Sequence, residues 1–199
     1  MNYPTFFDTI ETIKLQDPLA QTLGAFYDGI YEITYMDVVK SAGHSCHTVT
    51  GAYLMTQAAL KELFLHDNAI RGTVKVEFKE DLEEGVAGVI ANVVSHITGA
   101  TDKSGFKGLN GKFARHSLMN FNADISSSAR FTRVDNGQSV DVIYDPSSIN
   151  ADQNMMPLMQ KMMSAQASPE EIKEFGSLWQ DRVKRIFENS EKVIKVVAI

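Results

Sequence analysis

After residue 47 the positions Val49, Ala52, Tyr53, Thr56, Leu60, Leu63 and Phe64 recur at three- and four-residue spacing, which predicts a helix laying one face on a core. Residues 73–79 instead alternate. Val74, Val76 and Phe78 point one way and Lys75, Glu77 and Lys79 the other, the pattern of a half-buried strand in an antiparallel sheet. Between residues 5 and 26, Phe6, Phe7, Ile10, Ile13, Leu19 and Leu23 predict helical pieces, interrupted where Pro18 disfavours helix at Asp17. Residues 30–35 read as a short extended segment. A second helix is expected over residues 83–96, with acidic residues in its first turn and Gly99 just past its end, at some cost from Gly85 and Gly88. Residues 98–111 hold four glycines and read as an ordered loop, and residues 129–144 as a hairpin turning at Asn136-Gly137.

Two C-terminal helices follow. The first covers residues 153–165, and the second starts with Ser168 as cap, Pro169 in the first position and Glu171 completing a capping box. Residues 192–199 look like a final strand. Met155, Met156, Met159, Met162 and Met163 lie on a helical pattern that Phe175, Leu178, Trp179, Val183 and Ile186 continue. We read them as packing residues rather than thioether ligands, because methionine fills irregular apolar interfaces well. With no repeat, low-complexity tract or linker, the expectation is one α+β domain over residues 1–199. It would be an antiparallel or mixed sheet packed by helices, with a C-terminal helical pair.

Composition narrows the function. At 199 residues, 44% hydrophobic and 22% charged, the chain can bury a substantial core. No apolar run reaches the roughly 18 residues that cross a bilayer, and the N-terminus lacks the basic start and apolar stretch of a secretion signal. The expected location is the cytoplasm, with no membrane partner. A net charge of -6 argues against nucleic acid, which needs a concentrated basic surface. The single cysteine, Cys46, excludes an internal disulfide and an all-thiolate zinc ribbon. Any metal site must therefore recruit histidine, carboxylate, water or a second copy of the chain.

Gly43-His44-Ser45-Cys46-His47 concentrates soft ligands immediately before the expected helix. Imidazole nitrogen and thiolate sulfur suit zinc and related transition metals, and the free amides and positive dipole end of a helix start favour the anionic sulfur a metal needs. His44, Cys46 and His47 are therefore the candidate metal ligands. The plain alternative is that Cys46 is a small buried core residue and the histidines satisfy loop hydrogen bonds. No Cys-x-x-Cys-His is present, so covalent haem attachment is not indicated.

The run Asp37-Val38-Val39-Lys40-Ser41-Ala42-Gly43-His44-Ser45-Cys46, with a small-residue-rich helix after it, resembles the signature of the FmdE-like family, which takes its name from formylmethanofuran dehydrogenase. Thr98-Gly99-Ala100-Thr101, Gly105 and Gly111-Lys112 extend the resemblance, which spans roughly residues 37–121 as the family core, leaving 122–199 as a hairpin and helical C-terminal extension. The resemblance implies an α+β core, a metal site using His44 and Cys46, and a homodimer with sites near the contact between its two chains. Departures are plain as well. His47 and Thr48 stand where relatives often have proline and glycine, a later cysteine has no counterpart, and the C-terminal cysteine-rich zinc module is missing. The family's name reflects an operon association and carries no methanofuran chemistry to this chain.

His96 and His116 are further candidates for the metal shell, and Glu77 and Glu84 for a general base. The basic cluster Lys112-Phe113-Ala114-Arg115-His116 could equally bind an anionic substrate. The leading expectation is a metal-binding protein, zinc first among the ions, with a position open to water or an unknown small ligand. The alternative is a non-catalytic carrier holding haem or another cofactor through the same His and Cys side chains. The sequence assigns no reaction and no catalytic residue.

Overall fold

The computed structural model describes residues 2–65 and 67–199. A 3-10 turn at Thr5–Thr9 leads into β1 (Ile13–Gln16), α1 (Pro18–Thr22), β2 (Ile30–Ile33), α2 (Tyr35–Ala42) and α3 (His47–Leu63). Then come β3 (Ala69–Ile70), β4 (Val74–Phe78), α4 (Ala87–Thr98), β5 (Met119–Asn120), β6 (Ala129–Arg133) and β7 (Ser139–Tyr144). α5 (Met155–Met163), α6 (Pro169–Glu188), α7 (Ser190–Val193) and β8 (Ile194–Ala198) complete the order. The fold is α+β with mixed sheets. One sheet has the order β2-β1-β3 and the other β5-β4-β6-β7-β8, with β1–β3 and β4–β5 parallel and the remaining pairs antiparallel.

The centre of the molecule is α3. Twelve of its 17 residues are buried, so it is enclosed on nearly every side rather than lying on a surface. It packs against α2, α4 and α6 and against β6, β7 and β8. Val74, Val76, Phe78, Phe131, Val140 and Val142 supply the inner face of the larger sheet, as the alternation along β4 requires.

Several expectations shift. Residues 13–16 are a strand, not helix: their alternating burial faces β2 with Ile13 opposite Ile33. Pro18 does not interrupt a helix but opens one, with Asp17 as its cap accepting from the Ala20 amide at 3.0 Å. α2 was not foreseen, although Thr34 and Asp37 form a reciprocal capping box at its start. α4 begins at Ala87 rather than 83, because Gly85 sits at φ 53 and Asp81 accepts the Glu83 amide in a local turn. Residues 192 and 193 close a short helix before the last strand. Of the five methionines only Met155 is buried, and Met156 and Met163 are 56% and 78% exposed. The reason is that α5 packs chiefly on α6. No helix among the described residues is long and apolar enough to cross a membrane.

Asp17 ties distant segments together. It is 2% exposed and accepts Arg71 Nη1 at 3.2 Å and Arg115 Nη2 at 2.7 and 2.8 Å. Arg71 in turn donates to the carbonyls of His96 and Ile97 at 3.0 Å, closing the end of α4. Burial opposes ionisation of this carboxyl, but the Ala20 amide and the Arg115 and Arg71 charges outweigh it and hold the pKa below the ordinary 3.8. A depressed carboxyl contributes stability that is complete above its ordinary value and is lost as pH falls through its folded value. Asp17→Ala leaves two buried guanidinium groups without their counter-charge, and we expect a loss of about 3–5 kcal/mol in urea unfolding. The variant should also lose the wild type's steepened destabilisation below pH 4. A change under about 0.5 kcal/mol would show that the ion triad does not hold these segments.

Candidate metal centre

α2 ends at Gly43, which takes the left-handed conformation (φ 78) that a side chain would resist. The chain then runs through His44 and Ser45 to Cys46, whose extended backbone (φ -150, ψ 172) caps α3. Its Sγ accepts the Val49 amide at 3.4 Å. His44 Nδ1 lies 3.1 Å from the Ala42 carbonyl oxygen. A carbonyl only accepts, so Nδ1 carries the proton in this contact and Nε2 of the neutral ring is an acceptor. That nitrogen lies 3.4 Å from Cys46 Sγ. Zinc bond lengths of about 2.05 Å to nitrogen and 2.3 Å to sulfur at a tetrahedral angle place the donors about 3.5 Å apart. The observed 3.4 Å separation is close to that distance. Cys46 is buried while His44 is exposed, so the pair opens outward on its histidine side.

The loop is held from the far end of the chain. Trp179 Nε1 and Gln180 Nε2 both donate to the Ser45 carbonyl, at 3.0 and 3.2 Å, and Ser45 Oγ donates to Gln180 Oε1 at 3.1 Å. From beneath, the Tyr35 hydroxyl bridges Ser45 Oγ and Thr50 Oγ1, each at 2.9 Å. Burial pushes that hydroxyl up to about 12, against the pull of its two partners, so it stays protonated. Tyr144 donates to the His47 carbonyl at 2.8 Å. Its ring crosses α3 where Gly51 has no side chain, and a Cβ there would meet the ring carbon at 2.2 Å.

Not every candidate joins the pair. Among the described residues no three His, Cys, Asp or Glu side chains converge as a metal cluster. His47 turns to Trp179, ring centroids 6.0 Å apart, and its pKa is lowered by burial and by the Arg182 charge. His96 shares with His44 a cavity of about 390 Å³ between α2 and α4. Its Nε2 is buried without a partner among the described residues, and burial together with the Arg71 charge lowers its pKa. His116 Nδ1 lies 3.0 Å from the Ser117 hydroxyl. Glu77 is paired with Lys75 at 2.9 Å, and Glu84 accepts the Asp81 amide at 3.3 Å. Neither carboxylate forms part of a cluster with the His44–Cys46 pair. Tyr35, Tyr144, Trp179 and Gln180 were invisible as site residues because no local spacing connects them to the loop.

Residues 42–195 match the family described as FmdE, Molybdenum formylmethanofuran dehydrogenase operon. The chain belongs to this FmdE family. The match begins at the end of α2, takes in the whole pair, continues through β6, β7, α5, α6 and α7, and ends at the start of β8. It leaves out residues 37–41 of the motif-bearing span 37–121 and extends well past residue 121 at the other end. No curated protein matches the chain significantly.

Gly51→Ala separates packing from helix propensity. Alanine favours a helix by up to about 1 kcal/mol, but here it collides with a ring anchored at its hydroxyl. We expect net destabilisation of about 1–3 kcal/mol, with relief in the double variant Gly51→Ala/Tyr144→Leu. Stabilisation by Gly51→Ala alone in thermal unfolding would contradict the packing described.

Proposed function

We propose that this FmdE-family chain binds a transition-metal ion, zinc first among them, through His44 Nε2 and Cys46 Sγ. The remaining positions fall to water, a small ligand or a second copy of the chain. The supporting observation is the 3.4 Å separation of His44 Nε2 and Cys46 Sγ, an imidazole nitrogen and a sulfur of the kinds zinc takes. When bound, such an ion supplies a Lewis acid for ligand polarisation.

The chain's own residues do the rest. The Ala42 carbonyl orients the imidazole, as outer hydrogen bonds do for metal-ligating histidines. The Val49 amide, at the start of α3, donates to the sulfur and fixes its position. Trp179, Gln180 and Tyr35 hold Ser45, the residue between the two ligands, and so fix their spacing before an ion arrives. The cavity shared by His44 and His96 offers room for a small molecule beside the open side of the pair. His44 is exposed, which also leaves the pair accessible to a second copy in a homodimer.

Protein purified without an affinity tag, loaded with zinc and dialysed, should retain near one ion per chain by elemental analysis. Trp179, the single tryptophan, touches the loop between the ligands, so loading should change its emission. His44→Ala and Cys46→Ser should each abolish retention, and His47→Ala should lower it far less. Stoichiometry near zero in a folded wild type sinks the proposal. Equal loss from all three substitutions would instead give His47 the role of a third ligand.

A further inference from the structure

A second cavity, of about 340 Å³, lies between the β3–β4 turn and the segment 112–115. Its lining is mostly apolar, with Leu19, Ile70 and Phe113 among the lining residues, and Arg71, Lys112 and Arg115 are the cationic residues that border it. Neither His44 nor Cys46 borders it.

The charge inside is unbalanced. The Arg71 and Arg115 side chains are only 15% and 13% exposed, and both pair with the single carboxylate of Asp17. Two guanidinium groups and one carboxylate leave one positive charge over, and a charge held out of water without a counter-charge is costly. Each Arg71 nitrogen, Nε, Nη1 and Nη2, already meets an acceptor. Arg115 differs: only its Nη2 bonds to protein, leaving Nε and Nη1 without a partner among the described residues. These two nitrogens are not among the atoms sealed from solvent, and Arg115 is one of the residues that line the cavity. Lys112 is exposed and makes no ion pair or side-chain hydrogen bond among the described residues.

The backbone keeps this arrangement in place. Phe113 is held at φ 61 and Asn110 at φ 48, in a region side-chain-bearing residues resist. Gly108 allows the strand-like return of the loop, because a Cβ there would meet the Lys112 carbonyl oxygen at 2.5 Å. The strained Phe113 is the residue that lines the cavity with an aromatic wall. A cationic rim beside an apolar wall, on a chain of net charge -6, is a local exception to the molecule's overall sign.

We propose that this cavity binds a small organic anion, its carboxylate or phosphate group between Lys112 and the free donors of Arg115 and its apolar body against Phe113, Ile70 and Leu19. The anion supplies the charge that Asp17 alone does not, and a forked guanidinium suits either oxyanion. Burial and the neighbouring Arg115 charge already hold Arg71 below its usual pKa, the direction that mutual repulsion of the two cations produces. The site is separate from the metal pair and stands whether or not that pair holds an ion.

Calorimetric titration of the full chain at low salt with benzoate, phenyl phosphate and inorganic phosphate tests this. Saturable binding of benzoate, phenyl phosphate or both is expected, and which one binds identifies the oxyanion. Lys112→Ala should weaken it at least about tenfold, with Lys112→Arg restoring most of the affinity. Lys112 is exposed, so an unchanged thermal transition will confirm that the variant is folded. His44→Ala should leave the affinity unchanged. Absence of saturable binding to the wild type, indifference to Lys112→Ala, or binding of inorganic phosphate alone would each overturn the proposal.

Discussion

Enclosing α3 is the constraint on which the rest depends. A helix buried on nearly every side cannot leave its first amides to water, so its start must be capped from within the protein. Here the cap is a sulfur atom: Cys46 Sγ takes the Val49 amide, and the Thr50 amide bonds back to the Cys46 carbonyl at 2.9 Å. Serine, aspartate or asparagine would cap more strongly, because thiol sulfur is a weak acceptor. A cysteine in place of these stronger caps is what the proposed metal role of Cys46 asks for.

The same burial explains why the last third of the chain matters to residues 44–47. α6 packs on α3, and its Trp179 and Gln180 reach the Ser45 carbonyl across 134 and 135 positions of sequence. The family match runs through that helix, so the clasp lies within the family's own extent rather than on an appendage. The C-terminal helices therefore set the geometry of the pair although they contribute none of its soft ligands.

Legibility followed how locally each feature is determined. The α3 periodicity, the β4 alternation, the hairpin of β6 and β7 and the capping box at Ser168 are written in neighbouring residues and could be read directly. β1 could not, because Ile13 continues the helical spacing of Phe6 and Ile10, and pairing with β2 makes residues 13–16 a strand. α2 was missed although Thr34 and Asp37 carry a capping signal, since its start abuts an extended segment of similar composition. Within the candidate site, His44 and Cys46 stood out by residue type and spacing. Their clasp, the divergence of His47 towards Trp179 and the shared cavity with His96 all depend on long-range packing that no spacing encodes.

X-ray absorption at the zinc edge of the loaded protein tests the central claim most directly. The account predicts one sulfur scatterer at about 2.3 Å with nitrogen or oxygen neighbours near about 2.0–2.1 Å, the sulfur shell vanishing in any zinc that Cys46→Ser still binds. A spectrum with only nitrogen and oxygen neighbours in the wild type would contradict it.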